Sequence, residues 1–168
     1  GGTGTRLYPA SRSDRPKQFH SFGSDRSLLE RAVDRADFAE ETIVVTREAY
    51  ADQARDHAPS ATILVEPDPK NTGPALVYAA HRVREIFHEP IVFAMPSDHV
   101  VGTGFRDVAD RAVSVAAETG GLVTLGVEPT RPATEYGYVQ PGDVADGYHE
   151  VREFHEKPDP DTAREFVD

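Results

Sequence analysis

Residues 42–65 read TIVVTREAYADQARDHAPSATILV. Residues 42–46 form a short β-branched run and 61–65 a second, so both read as strands. Between them 47–57 reads as a polar helix, ended by Pro59. Outward from this unit the alternation continues. Toward the N-terminus, 27–38 reads as an amphipathic helix, with Leu28, Leu29, Ala32, Val33 and Ala36 at helical spacing. Toward the C-terminus, 72–88 reads as a helix with Pro74 in its first turn, and 91–95 as a third, fully apolar strand. A helix over 105–119, Gly120-Gly121 and a strand over 122–127 follow. Helices between apolar strands predict an α/β fold, a Rossmann-like and mostly parallel sheet with helices on both faces. Past Val127 the pattern changes: 136–140 and 150–155 read as strands with no long helix between them, predicting a β-rich edge near the C-terminus. A last helix starts at Asp159, and the chain stops inside it. We expect one domain over 1–168, continued by further chain at both ends, because a glycine-rich loop such as the one at residue 1 normally follows a buried strand.

Composition narrows the functional classes. Asp and Glu total 29 against 18 Lys and Arg, a net charge of −11. Such a chain repels nucleic acid and anionic membranes, so neither is an expected partner. No apolar run approaches the roughly 20 residues of a membrane span, and no signal peptide is visible, so a cytoplasmic protein is expected. With no cysteine, disulfides and thiolate-ligated metals are excluded. The three lysines are Lys17, Lys70 and Lys157, and arginine supplies the remaining cations. An acidic, lysine-poor surface suits a halophilic source; arginine-rich codon usage would produce the same bias. A homo-oligomer is compatible with the sequence.

Chemistry concentrates in a few segments. The chain opens with GGTGTRLYPASRSDRPKQF. Gly1, Gly2, Gly4 and Thr5 can bring backbone N–H groups close to a polyphosphate. Arg6, Arg12, Arg15 and Lys17 add four cations beside that cradle, in an otherwise acidic protein. The pattern is neither a Walker A loop nor a dinucleotide fingerprint. Asp98 lies just past the apolar run 91–95, where ligand sites of open α/β sheets lie. A carboxylate there suits Mg²⁺, which takes hard oxygens and bridges to phosphates; capping a turn is the alternative role. Asn71 and Thr72 stand where an N-cap precedes Pro74.

Taken together, GGTGTRLYPASR…RPKQF, EPDPKNTGPA, MPSDHVV, GVEPTRPATEYGYV and FHEKP resemble the sugar-1-phosphate nucleotidyltransferases, in the family's order and over nearly the whole chain. The Lys-Gln-Phe ending and FGSDRSLLERAVDRA resemble the mannose-1-phosphate guanylyltransferase branch. The resemblance implies a nucleotide-diphospho-sugar transferase fold and attack by mannose 1-phosphate on the α-phosphorus of GTP, with Mg²⁺ as cofactor. It implies that Arg6 binds the triphosphate and Lys17 acts near the transferred phosphoryl group. Asn71, Thr72, Pro96 and Ser97 would line the nucleotide site, and Gly137, Glu156 and Lys157 the sugar-phosphate site, with Asp98 on the metal. The family's second metal carboxylate falls after the Glu-Lys-Pro motif, outside this sequence. Two departures stand out: Glu135 replaces a small residue and His155 an apolar one. A transfer to another base or sugar (glucose 1-phosphate with dTTP or UTP), or a non-catalytic nucleotide-sugar-binding relative, are the alternatives.

Overall fold

Ser27 starts the first helix by capping chemistry. Its hydroxyl accepts from the Glu30 N–H while the Glu30 carboxylate accepts from the Ser27 N–H, a reciprocal capping box. The helix that follows, α1 (Leu28–Arg35), is shorter than the 27–38 expected, because 36–39 continue as turns. The computed structural model describes residues 16–68 and 70–167. They divide after residue 106 into two compact units, each treated by itself below.

In the first unit, strands β1 (Ile43–Thr46) and β2 (Thr62–Val65) pair in parallel, Ile43 opposite Thr62 through Thr46 opposite Val65. Helix α2 (Ala51–His57), entered through a 3₁₀ turn at Glu48–Tyr50, makes the crossover. This is the strand–helix–strand unit expected of 42–65. Ala54 and Ala58 pack with Phe19 and Leu29 in the core, against partly buried Val33, Val44, Tyr50, Ala61 and Ile63. Small side chains on α2 leave room for Phe19, which anchors a 3₁₀ turn at Lys17–Phe19.

Helix α3 (Thr72–Arg84) ends earlier than the expected residue 88, and Glu85–Phe87 continue as turns. Asn71 occupies its N-cap position with φ +69°, but its side chain makes no capping bond. The strands expected over 91–95 and 122–127 join no ladder among the described residues. An apolar run reports that burial is favourable; it cannot supply the facing backbone that a strand also needs. Ile91 and Val92 are 47% and 45% exposed, and Leu122 and Val127 are fully or almost fully so. Phe93 is nonetheless held edge-on between Phe38 and Phe105, with ring centroids 5.3 and 6.0 Å away.

Helix α4 (Phe105–Thr119) begins at the end of the first unit and runs into the second, over the residues the sequence predicts. It ends at Gly120, whose φ of +65° and N–H to Ala116 carbonyl bond form a left-handed C-terminal cap. The β-rich edge expected past Val127 is an antiparallel hairpin, β3 (Gly137–Val144) with β4 (His149–Glu156). Its register shifts at Pro141, which lacks the N–H a regular ladder needs. Helix α5 (Pro160–Glu165) is capped by Asp159, whose carboxylate accepts from the Asp161 and Thr162 N–H groups. It ends at Glu165 rather than running to the end of the chain. Phe166 then turns onto the hairpin, 5.2 Å from the Tyr138 ring and 4.7 Å from that of His155.

Candidate functional site

Lys17 follows Pro16, whose extended backbone starts the 3₁₀ turn, and precedes the buried Phe19. The core therefore fixes the turn while the lysine stem leaves it. The Lys17 ammonium pairs with the Asp98 carboxylate, their side chains 37% and 22% exposed. Two residues chosen separately from the sequence thus meet in one place. Asp98 sits in a turn, with Ser97 half-buried beside it and Pro96 exposed.

That turn is tied to α1. Arg35 Nη2 donates to the carbonyl oxygen of His99 at 2.9 Å. Burial is the main reason the Arg35 guanidinium sits below its ordinary pKa, and the neighbouring Arg31 lowers it further. Its Nε is buried with no partner among the described residues. Sequence reasoning missed this residue. The signal was present: Arg35 falls three residues after the buried Ala32 and seven after the buried Leu28, on a stripe where an apolar side chain is the norm.

A divalent ion at this place has one described carboxylate to hold it. Among the described residues no group of three or more His, Cys, Asp or Glu could enclose a metal. Asp98 still fits Mg²⁺, because that ion uses one or two carboxylates, keeps several waters and takes its other oxygens from substrate phosphates. Zn²⁺ in a protein cage does not fit this donor set. His99 offers its carbonyl to Arg35.

Asn71 and Thr72 stand exposed at the start of α3. No hydrogen bond joins either to Lys17 or Asp98 among the described residues. Because the Asn71 side chain does not cap the helix, it leaves the first-turn N–H groups open to a ligand. The left-handed backbone at Asn71 suits asparagine better than most residues. Lys70 pairs with Asp68 at 3.0 Å, both side chains well exposed. Gly1, Gly2, Gly4, Thr5 and Arg6 lie outside the described residues, as do Arg12 and Arg15.

In the second unit the hairpin register brings together the two segments expected to take the sugar phosphate. Gly137 and Glu156 are direct cross-strand partners. The Lys157 N–H continues the ladder to the Tyr136 carbonyl at 3.2 Å. Lys157 holds φ at +46°, the left-handed region a non-glycine residue rarely adopts, and its ammonium lies 2.9 Å from the Glu156 carboxylate. Gly137 has a reason of its own. A Cβ there would collide with the Phe154 ring, which crosses diagonally from β4 over the glycine.

The two departures also find partners. Glu135 pairs with Arg131; that hydrogen bond is the main cause of a lowered carboxylate pKa and a raised guanidinium pKa. Next to it, the Tyr138 hydroxyl accepts from the Ala133 N–H at 2.8 Å, tying 131–138 into a tight loop. His155 faces Tyr138 across the hairpin and packs on Phe166. An aromatic ring there performs the packing an apolar residue would.

The nucleotidyl transferase family profile matches residues 1–168. A xanthan biosynthesis protein of Xanthomonas campestris pv. campestris is 41% identical over 99% of this chain and 37% of its own length. A mannose-1-phosphate guanylyltransferase of Escherichia coli is 36% identical over 100% of this chain and 39% of its own. The crystal structure described as mannose-1-phosphate geranyltransferase from Thermus thermophilus has a TM-score of 0.85 and 34% identity, covering 99% of this chain and 51% of that one. The chain therefore spans well under half the length of these curated relatives.

Proposed function

Because the chain belongs to the nucleotidyl transferase family, we propose that it carries the transfer site of a mannose-1-phosphate guanylyltransferase, moving GMP from GTP to mannose 1-phosphate and releasing pyrophosphate. The observation that carries this reading is the meeting of Lys17 with Asp98. The sugar-phosphate oxygen is already an anion, so the reaction needs no general base. Its obstacle is the approach of two anions, which calls for cations and alignment.

Each residue then has a task. The N–H groups at Gly1, Gly2, Gly4 and Thr5 cradle the triphosphate, with Arg6 on its charge. Lys17 stabilises the negative charge that gathers on the transferred phosphoryl group. Asp98 would hold Mg²⁺, and the ion would supply positive charge to offset that of the phosphates. Asn71, Thr72, Pro96 and Ser97 take the nucleotide. Glu156 accepts from sugar hydroxyls, Lys157 binds the sugar's phosphate, and Gly137, opposite Glu156, makes room for the Phe154 ring beside them.

The partners are thus small anions. A net charge of −11 argues against nucleic acid, and no helix among the described residues is long and apolar enough to cross a membrane. We place the enzyme in the cytoplasm, where GTP is available. The guanylyl and mannosyl assignments follow the names of the relatives. The test offers full-length protein GTP, dTTP, UTP and CTP, each with mannose 1-phosphate or glucose 1-phosphate. Preference for GTP and mannose 1-phosphate is expected. Faster turnover of dTTP or UTP with glucose 1-phosphate would replace this reading with the other branch of the family.

A further inference from the structure

Arg35 takes up a position that an amphipathic helix normally gives to an apolar side chain. It follows Leu28 and Ala32 along the stripe of α1 that faces the core. Its guanidinium is partly desolvated and its Nε has no partner among the described residues, both unfavourable for a residue with only a structural surface role. What the side chain reaches from there is distant in sequence: the carbonyl of His99, next to Asp98.

The contacts around this bond close on themselves. Asp98 pairs with Lys17. Lys17 belongs to the turn whose Phe19 packs on Leu29 of α1. The same segment is tied to the start of α1 by the Leu28 N–H to His20 carbonyl bond, 3.0 Å. From there α1 runs to Arg35, and Arg35 returns to the residue after Asp98. Lys17 and Asp98 are therefore both referenced to one short helix, one from its start and one from its end.

We infer that Arg35 is a positioning residue for nucleotidyl transfer: through the His99 carbonyl it sets where the Asp98 carboxylate stands relative to the Lys17 ammonium. It touches no substrate. The inference rests on the proposed transfer at the Lys17–Asp98 pair. Only the arginine has the length and the planar fork to reach the carbonyl from a half-buried position while staying charged. A lysine could offer one donor there with less fixed direction.

The test uses full-length wild type, Arg35→Met, Arg35→Lys, Asp98→Asn and the Arg35→Met/Asp98→Asn double variant. In Arg35→Met the kcat is expected to fall roughly 10- to 100-fold, since displacing a reacting group by on the order of 1 Å costs about 10²-fold. The KM for GTP should stay within about twofold, and Arg35→Lys should recover part of the loss. In the Asp98→Asn background, Arg35→Met should cost less than about twofold more, because it acts through the carboxylate already removed. Fully multiplicative losses, or a change confined to KM, would overturn the inference. A second readout is independent of turnover: Mn²⁺ alone, titrated without nucleotide and followed by the paramagnetic resonance of free Mn²⁺. Arg35→Met should weaken the Asp98-dependent binding severalfold; unchanged binding, or no Asp98-dependent binding in the wild type, overturns the inference. If wild type makes no nucleotide sugar, the proposed function fails, while a weakened Mn²⁺ site in Arg35→Met still supports the positioning. If Arg35→Met does not fold, Arg35→Lys carries the same cycle.

Discussion

Replacing Lys17 by methionine keeps most of the stem and removes the ammonium that pairs with Asp98. Two separate losses follow, and their sizes differ. The pair is 37% and 22% exposed, so water screens it, and exposed ion pairs contribute only about 0–1 kcal/mol to folding. Phe19, which anchors the same turn, is untouched. For a domain of this size about 1 kcal/mol shifts Tm by roughly 2–4 °C. Turnover should suffer far more. Lys17 is assigned to charge that is greatest in the transition state, and removing one such preorganised donor costs about 10²–10³ in kcat, or roughly 2.7–4 kcal/mol. The assay is steady-state pyrophosphate release by full-length protein with varied GTP, run beside thermal melts of the same preparations. A Tm within about 4 °C of wild type, with kcat down by two orders of magnitude or more, is the expected result. An effect confined to KM, or a kcat near wild type, would refute the role given to Lys17.

Three further outcomes are expected. Gly137→Ala forces the Phe154 ring off the glycine beside Glu156, so the KM for mannose 1-phosphate should rise with that for GTP unchanged, and adding Phe154→Ala should restore part of it; equal KM values in all variants would contradict this. Glu30 is held below its ordinary pKa of 4.5 first by the Ser27 N–H, then by the Ser27 hydroxyl, so its contribution is present above pH 4.5 and lost as pH falls through the lower folded value. Glu30→Gln should accordingly lower Tm at neutral pH, with the gap to wild type closing as pH falls below 4.5; a gap that does not vary with pH would rule this out. Raising KCl through the molar range should raise Tm if repulsion among the 29 carboxylates opposes folding, and a flat or falling Tm would remove the halophilic reading.

Local pattern made part of the fold legible. Residues 42–65 carry their own periodicities, and they became β1, α2 and β2 in the expected order. Residues 91–95 did not become a strand, because a ladder is a property of two segments and the run describes one. Ser27 and Asp159 announced their helices by side-chain chemistry acting over three residues. Helix ends were harder: α1 and α3 both stop before their apolar spacing does. For the site, the residue types of Lys17 and Asp98 could be read, but their meeting depends on a chain reversal that no local pattern encodes. The pairing of Gly137 with Glu156 required a register, and alternation along β4 could not say that Phe154 would be the side chain to cross it. Arg35 was overlooked because a single charge at the end of an apolar stripe is easily assigned to solvent.

Lys157 bends its backbone into a conformation that glycine would adopt freely. The difference is on the order of 1 kcal/mol in favour of glycine. A laboratory selection for heat resistance alone would therefore accept Lys157→Gly, and would regard the lysine as an error to correct. A selection for turnover would refuse the same exchange, because the ammonium beside Glu156 would go with it. Breeding the protein under alternating demands should make this codon oscillate while its hairpin neighbours stay put, and the frequency of each allele would report which demand the population had last met.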